Sequence, residues 1–433
     1  MPRVDGGMKI KAVHVPVSLA GRVPFVPQWL DRRCDADGSA GKAAGETSAR
    51  RRRFDPATIG AMVDGIFGES EHAARVRSLS TAVGGAMEAA SASIHLIGQA
   101  LSQSLGLSAK HATKQVDRLV SNRKLDVWDL FDPWVRYVVA DATDIVVALD
   151  WTDYAADGQT TIVASRITSH GRATPLVWKT HRKVEVTDGA RNDLEDEVLL
   201  RLRQILGSGI RVTVVADRGF GDSKLYEFLS GESWAFVIRF RGNVNVALRE
   251  GGPTHEAHAW VPQTGKAKLH KDVFVTSRRV PLAGFVAVHA KGMKEPWCLA
   301  TNRTDLNASQ IVAMYGKRFT IEESFRDTKD PRYGLGLVDV HIKRPDRRDR
   351  MLLIAVVAQA LLTLLGAAAE AAGLDKTMKA NTVTKRTHSL FRQGWFWYRC
   401  IPNMREDWFV PLMTHFDRIV REQRVHACVE GLL

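Results

Sequence analysis

Apolar positions recur with a helical period in the first part of the chain and with a strand period through the middle. Between about residues 54 and 137 the stretches "EAASASIHLIGQALSQSLG" and "LSAKHATKQVDRLVSN" read as two helices joined at Gly106, much like a helix-turn-helix pair. Ser108 can cap the second of them, and Ala112, Val116, Leu119 and Val120 form its buried stripe. After about residue 138, "DIVVALDWTDY", "TTIVASRIT" and "ATPLVWKTHRK" read as strands, "NDLEDEVLLRLRQIL" as a helix, and "IRVTVVADRGF" and "SWAFVIRFRG" as further strands. That order makes an α/β layer with a mixed sheet. Residues 243–300 alternate short apolar runs with Gly and Pro turns and read as a β-rich insertion. Helix resumes near Asn307, and the chain from about 350 is helical through the aromatic-dense "LFRQGWFWYRCIP".

One stretch, Leu352 to Ala369, is long and apolar enough to span a bilayer. Gln359 and Thr363 interrupt it, and a helix at the centre of a large domain is also apolar on most sides, so a buried helix and no membrane partner are expected. At 433 residues the chain suggests two or three domains. Its 45% hydrophobic and 25% charged residues are those of a soluble globular protein. The formal charge of +13 and pI near 9.7 suit a polyanionic partner, nucleic acid first. In that context Lys110, Lys114 and Arg118, recurring every four residues on the second helix, become candidate DNA contacts. Residues 1–53 lack periodicity and end on the run Arg50 to Arg53; they read as a disordered basic arm, or as sequence ahead of a true start near Met62. Cys34, Cys298, Cys400 and Cys428 are too scattered for a zinc site and too few for a disulfide framework, which fits a reducing cytoplasm. No phosphate loop, GxSxG elbow or HExxH motif is present.

Candidate chemistry lies in three carboxylates. Asp150 follows the apolar run "IVVAL" and Asp217 follows "VTVVA", and open α/β sheets place ligands at such strand exits. Each alone could be a turn residue or helix cap, and Asp153 competes with Asp150 locally. The third is Glu322, in "YGKRFTIEESFRDTK". At ~100° per residue, Tyr315, Arg318, Glu322 and Lys329 fall within ~60° on one helix face, Glu323 lies off it, and Met314, Ile321 and Phe325 form the adjacent core-facing stripe. Three clustered carboxylates can hold two divalent ions about 3.5–4 Å apart for phosphodiester chemistry, with hard oxygen donors selecting Mg²⁺ or Mn²⁺. Neighbouring Arg and Lys side chains can grip phosphates.

The spacing of Tyr315, Arg318, Glu322 and Lys329 resembles the signature of IS4-type DDE transposases, and Asp150 and Asp217 resemble the family's two catalytic aspartates. "YGKRFTIEESFRDTKDPRYGLGL", "SHGRATPL" and "EPWCLATN" are close to the IS10/Tn10-like branch, and the likeness runs over about residues 60–400. It implies an RNase H-like catalytic core, in two parts at about 138–242 and 301–350, interrupted by the β-rich insertion. A helical DNA-binding domain at 54–137 would precede that core and a helical region at 351–433 would follow it. It further implies two Mg²⁺ ions, replaceable by Mn²⁺, on Asp150, Asp217 and Glu322. The partners would be terminal inverted repeats and target DNA, bound by a homodimer in the bacterial cytoplasm at the nucleoid. The route would be cut-and-paste through a hairpin, with Tyr315, Arg318 and Lys329 on the DNA end and Trp297 stacked on a flipped base. His170 and Arg172 match the family by position with no role assigned. A stand-alone metal nuclease and a non-catalytic repressor are the competing readings.

Overall fold

A computed structural model describes residues 56–422. The basic arm with Arg50 to Arg53, together with Cys34 and Cys428, lies outside the described residues. Five helices come first within them: α1 (Pro56–Phe67), α2 (Ala73–Ala89), α3 (Ile94–Leu105), α4 (Ala109–Ser121) and α5 (Val127–Val139). The α3–α4 junction follows from the sequence. Gly106 takes a φ of 66°, a conformation that favours glycine, and the Ser108 hydroxyl accepts a hydrogen bond from His111 N to start α4. Ala112, Val116, Leu119 and Val120 are buried as their spacing predicts, leaving Lys110, Lys114 and Arg118 exposed.

The strands are β1 (Asp144–Tyr154), β2 (Gln159–Ile167), β3 (Ala173–Arg182), β4 (Arg211–Ala216), β5 (Ala235–Phe240), β6 (Asn245–Ala247), β7 (Thr254–Glu256), β8 (Lys268–Val275), β9 (Val280–Val288) and β10 (Trp297–Thr301). All join one mixed sheet in the order β3-β2-β1-β4-β5-β10-β9-β8-β6-β7. The β1–β4 and β4–β5 pairs are parallel and the remaining pairs antiparallel. Helices α6 (Asp188–Leu206) and α7 (Ser223–Gly231) make the crossovers around β4. The segment 243–300 does not stand apart from this sheet: β10 returns between β5 and β9, so β6 to β9 extend the same layer.

Helices α8 (Ala308–Gly316), α9 (Thr320–Lys329), α10 (Pro345–Ala371), α11 (Leu390–Cys400) and α12 (Glu406–Glu422) follow. The apolar α10 is long enough to cross a membrane, but 89% of its most apolar window is buried inside the protein, against α2, β3, α11 and α12. It is the central core helix. Its backbone touches that of α11: a Cβ added to Gly394 would meet Leu362 O at 1.7 Å, and one on Gly366 would meet Leu390 O at 1.9 Å. Only glycine permits that approach.

Candidate active site

The pairing of β1 with β4 runs from Asp144↔Arg211 to Leu149↔Ala216. Asp150 and Asp217 therefore each directly follow the last paired residue of two adjacent parallel strands, which lie about 4.8 Å apart. The buried Val, Ile and Ala runs before them fix this register, since a slip of one residue would turn each carboxylate to the other face. β1 does not end at Asp150, as the apolar run suggests; it continues to Tyr154 paired with β2, and only its pairing with β4 stops. Asp150 Oδ1 accepts from Trp151 N at 2.9 Å, and Asp217 Oδ1 accepts from Gly219 N at 2.7 Å, capping the tight turn Arg218–Phe220. Asp153 alternates to the opposite face and pairs with Lys183 at 2.7 Å, away from this cluster.

Glu322 joins through one cation. The Arg318 side chain, 7% exposed, donates Nη1 to Asp150 Oδ2 at 3.1 Å and Nη2 to Glu322 Oε1 at 2.7 Å. Burial pushes the Asp150 carboxyl up to about 6; the negative charges of Asp217 and Glu322 add to the rise and Arg318 opposes it.

The motif around Glu322 is not one uninterrupted α-helix. Residues Lys317–Phe319 form a 3₁₀ turn between α8 and α9, and its tighter winding, about three residues per turn, shifts the phase of the expected stripe. Met314 and Ile321 are buried as expected, but Tyr315 is buried with them, 1% exposed. Its ring meets the edge of Trp297 at 4.9 Å, burial pushes its hydroxyl pKa up, and Arg318 adjoins it. Trp297, the first residue of β10, is half-buried between Tyr315 and Phe319. Lys329 closes α9 and reaches back to β1, donating to Asp153 O at 2.6 Å and Thr152 Oγ1 at 3.1 Å over the Tyr154 ring.

Residues 141–361, just over half of the chain, match the family described as transposase DDE domain. The chain belongs to the DDE transposase family. No curated protein matches it. A DDE transposase is a metal-dependent enzyme that cuts DNA and transfers strands, so DNA is its partner, divalent metal its cofactor, and an RNase H-like fold its scaffold.

The transposase's carboxylates suit a divalent ion in kind: three hard oxygen donors, of which Asp150 is raised chiefly by burial and further by the negative charges of Asp217 and Glu322. Among the described residues no three acidic, histidine or cysteine side chains already form a metal cluster, because the Arg318 guanidinium is the cation that Asp150 and Glu322 share. Lys110, Lys114 and Arg118 stand on the helical region instead, on the exposed face of α4. The structure also gives Arg172 a partner that the sequence does not suggest. It pairs with Asp327 at 2.6 Å and Glu323 at 3.7 Å while Ala173 N donates to Ser324 Oγ, tying the β2–β3 turn to the Glu322 helix. His170, in the same turn, is buried, and its carbonyl accepts from Arg386.

Proposed function

We propose that this DDE transposase is of the IS4 type, nearest its IS10/Tn10-like branch, and that it moves a bacterial insertion sequence by cutting and pasting. The observation that carries the reading is that Asp150 and Asp217 directly follow the last paired residues of two adjacent parallel strands, with Glu322 joined to Asp150 through Arg318. In this reading Asp150, Asp217 and Glu322 hold two Mg²⁺ ions, or Mn²⁺ in their stead. When bound, these ions would activate the attacking oxygen and stabilise the leaving oxygen of the phosphodiester. Arg318 bonds the oxygens of Asp150 and Glu322 that would hold such ions. Released from them, its fork would suit a bidentate grip on a phosphate of the DNA end.

Lys329, seated on Thr152 and Asp153 just beyond Asp150 on β1, offers a further point charge, and the Tyr315 hydroxyl lies next to Arg318. Trp297 supplies the aromatic face on which a base displaced during hairpin formation would stack. The helices over 54–137, with Lys110, Lys114 and Arg118, would recognise the terminal inverted repeat. The remaining division is core at 138–242 and 301–350, insertion at 243–300, C-terminal helices at 351–433 and a basic arm at 1–53. Two copies would pair the element's ends at the nucleoid.

The test is a denaturing-gel cleavage assay on an end-labelled duplex carrying the inverted repeat that flanks this gene, with and without Mg²⁺. Metal-dependent nicking at the repeat boundary followed by a hairpin-sized product is the expected result. Sequence-blind cutting would replace this reading with a nuclease, and binding without cutting would replace it with a repressor.

A further inference from the structure

We propose that Arg191 is a further DNA contact of this transposase, gripping a backbone phosphate of the strand laid across the two aspartates. Arg191 sits on α6, an element outside the motifs that carry Asp150, Asp217 and Glu322. Its Nε donates to Glu195 Oε1 at 2.9 Å. The same oxygen accepts from Trp151 Nε1 at 2.7 Å, and the Glu195 side chain is buried. Trp151 directly follows Asp150, so this shared carboxylate fixes Arg191 relative to the first aspartate.

The guanidinium is held from the other side as well. Its Cζ lies 5.3 Å from the Trp151 ring centre and 5.7 Å from that of Phe220, which closes the turn opened by Asp217. Arg191 Nη2 and Asp217 Oδ1 are both within 4 Å of the point where a side chain on Gly219 would begin. Glycine there leaves the gap between cation and aspartate open.

Nε is thus committed to Glu195 while neither Nη group donates a hydrogen bond to a described residue, and the side chain remains 38% exposed. An arginine locked in this way presents its remaining donors in a fixed fork, the geometry that matches a phosphate. A pair that served only to brace α6 against β1 would have no use for that open edge beside Asp217.

The inference rests on Asp150 and Asp217 forming the active site, and the experiment separates the two claims. Binding of a fluorescent duplex ending in the flanking inverted repeat is measured by anisotropy across a salt series in EDTA, for wild type, Arg191→Gln and Arg191→Lys. The expected result for Arg191→Gln is weaker binding and a log K against log salt slope shallower by about 0.9, the signature of one lost phosphate contact. Arg191→Lys keeps the charge, so it should retain the slope but bind several-fold more weakly through loss of the fork. Wild-type affinity and slope in Arg191→Gln overturn the inference. Should Arg191→Gln not fold, unchanged affinity in Arg191→Lys does the same. Asp150→Asn is assayed for cleavage in parallel: retained cutting overturns the site itself, whereas lost cutting beside an unaltered Arg191 variant overturns only this contact.

Discussion

Two buried arginines near the end of β1 make carboxylate pairs of opposite character. Arg348, on α10, is fully buried; it bonds Asp157, donates to Gln159 Oε1 at 2.6 Å and lies 3.9 Å from the Tyr154 ring centre. Its partner Asp157 is 8% exposed and also accepts from Ile342 N. Arg318 is nearly as buried, but its partners open outward: the Asp150 side chain is 16% exposed and Glu322 52%. The first pair is enclosed by the fold, so opening it strands a charge. The second faces solvent, so Glu322 can leave for water at little cost and Arg318 can exchange one partner for another. Burial of the partner, more than burial of the arginine, separates a pair that braces the fold from one that can take part in chemistry.

The largest expected effect is on the open side. Glu322→Gln should abolish cleavage in the flanking-repeat assay while end binding, read by gel shift, and the unfolding midpoint stay near wild type. Loss of binding would instead mean that Glu322 is a structural partner of Arg318, and the contrast between the two pairs would collapse. On the enclosed side, Arg348→Ala leaves Asp157 and Gln159 buried without their cation and should destabilise the protein by about 3–5 kcal/mol in urea unfolding. Arg318→Gln should cost less, because Glu322 is resolvated and Asp150 can take up a proton. Equal losses would show that both pairs are structural.

Beside Arg348, Asp349 sharpens the contrast through pH. Its Oδ1 accepts from Thr180 Oγ1 at 2.6 Å and Thr180 N at 3.1 Å, and burial above all pushes its carboxyl up to about 7. An unfolded aspartate titrates near ~3.9. Between these values the folded chain keeps a proton that the unfolded chain has lost, so this contribution to stability is complete below about pH 4, falls as pH rises, and is spent above about pH 7. Asp150, raised to about 6, adds a decline of the same sign. Asp349→Asn keeps the acceptor and removes the proton. Urea unfolding at pH 5 and pH 7 should therefore show a smaller fall in stability for the variant than for wild type, and identical falls would exclude Asp349 as the titrating group.

Local pattern made part of this arrangement legible. The two aspartates could be located because each follows a buried apolar run, and α10 because a helix apolar on every face needs a core around it. The phase of the Glu322 helix could not. Gly316, Lys317, Phe319 and Thr320 all keep right-handed helical dihedrals through the 3₁₀ turn; the stretch has no proline, and a lone glycine, Gly316, does not by itself announce a change of winding. Tyr315 turns inward against Trp297, and Trp297 is held there by β10, which pairs with β9 at Trp297↔Val288 and with the distant β5 from Cys298 on. The Arg172 pair with Asp327 spans 155 residues and is equally invisible along the chain. The Arg191 pair with Glu195 has plain helical spacing, but its meaning depends on Trp151 reaching the same oxygen from another strand.

A third kind of cation extends the comparison to its exposed limit and carries the smallest effect. Lys110 and Lys114 project from α4 into solvent with no carboxylate partner among the described residues. Replacing both with alanine should leave stability within about 0.5 kcal/mol of wild type, since no packed or paired group is lost. If α4 lies along the terminal repeat, each lysine that meets a phosphate should reduce the salt slope of binding by about 0.9, weakening binding most at low salt. The cleavage rate at saturating DNA should not change, because neither lysine adjoins the carboxylates. A wild-type slope in the double variant would move the DNA-binding surface off this face of α4, and a lowered saturating rate would mean that α4 positions the DNA end for cutting as well as holding it.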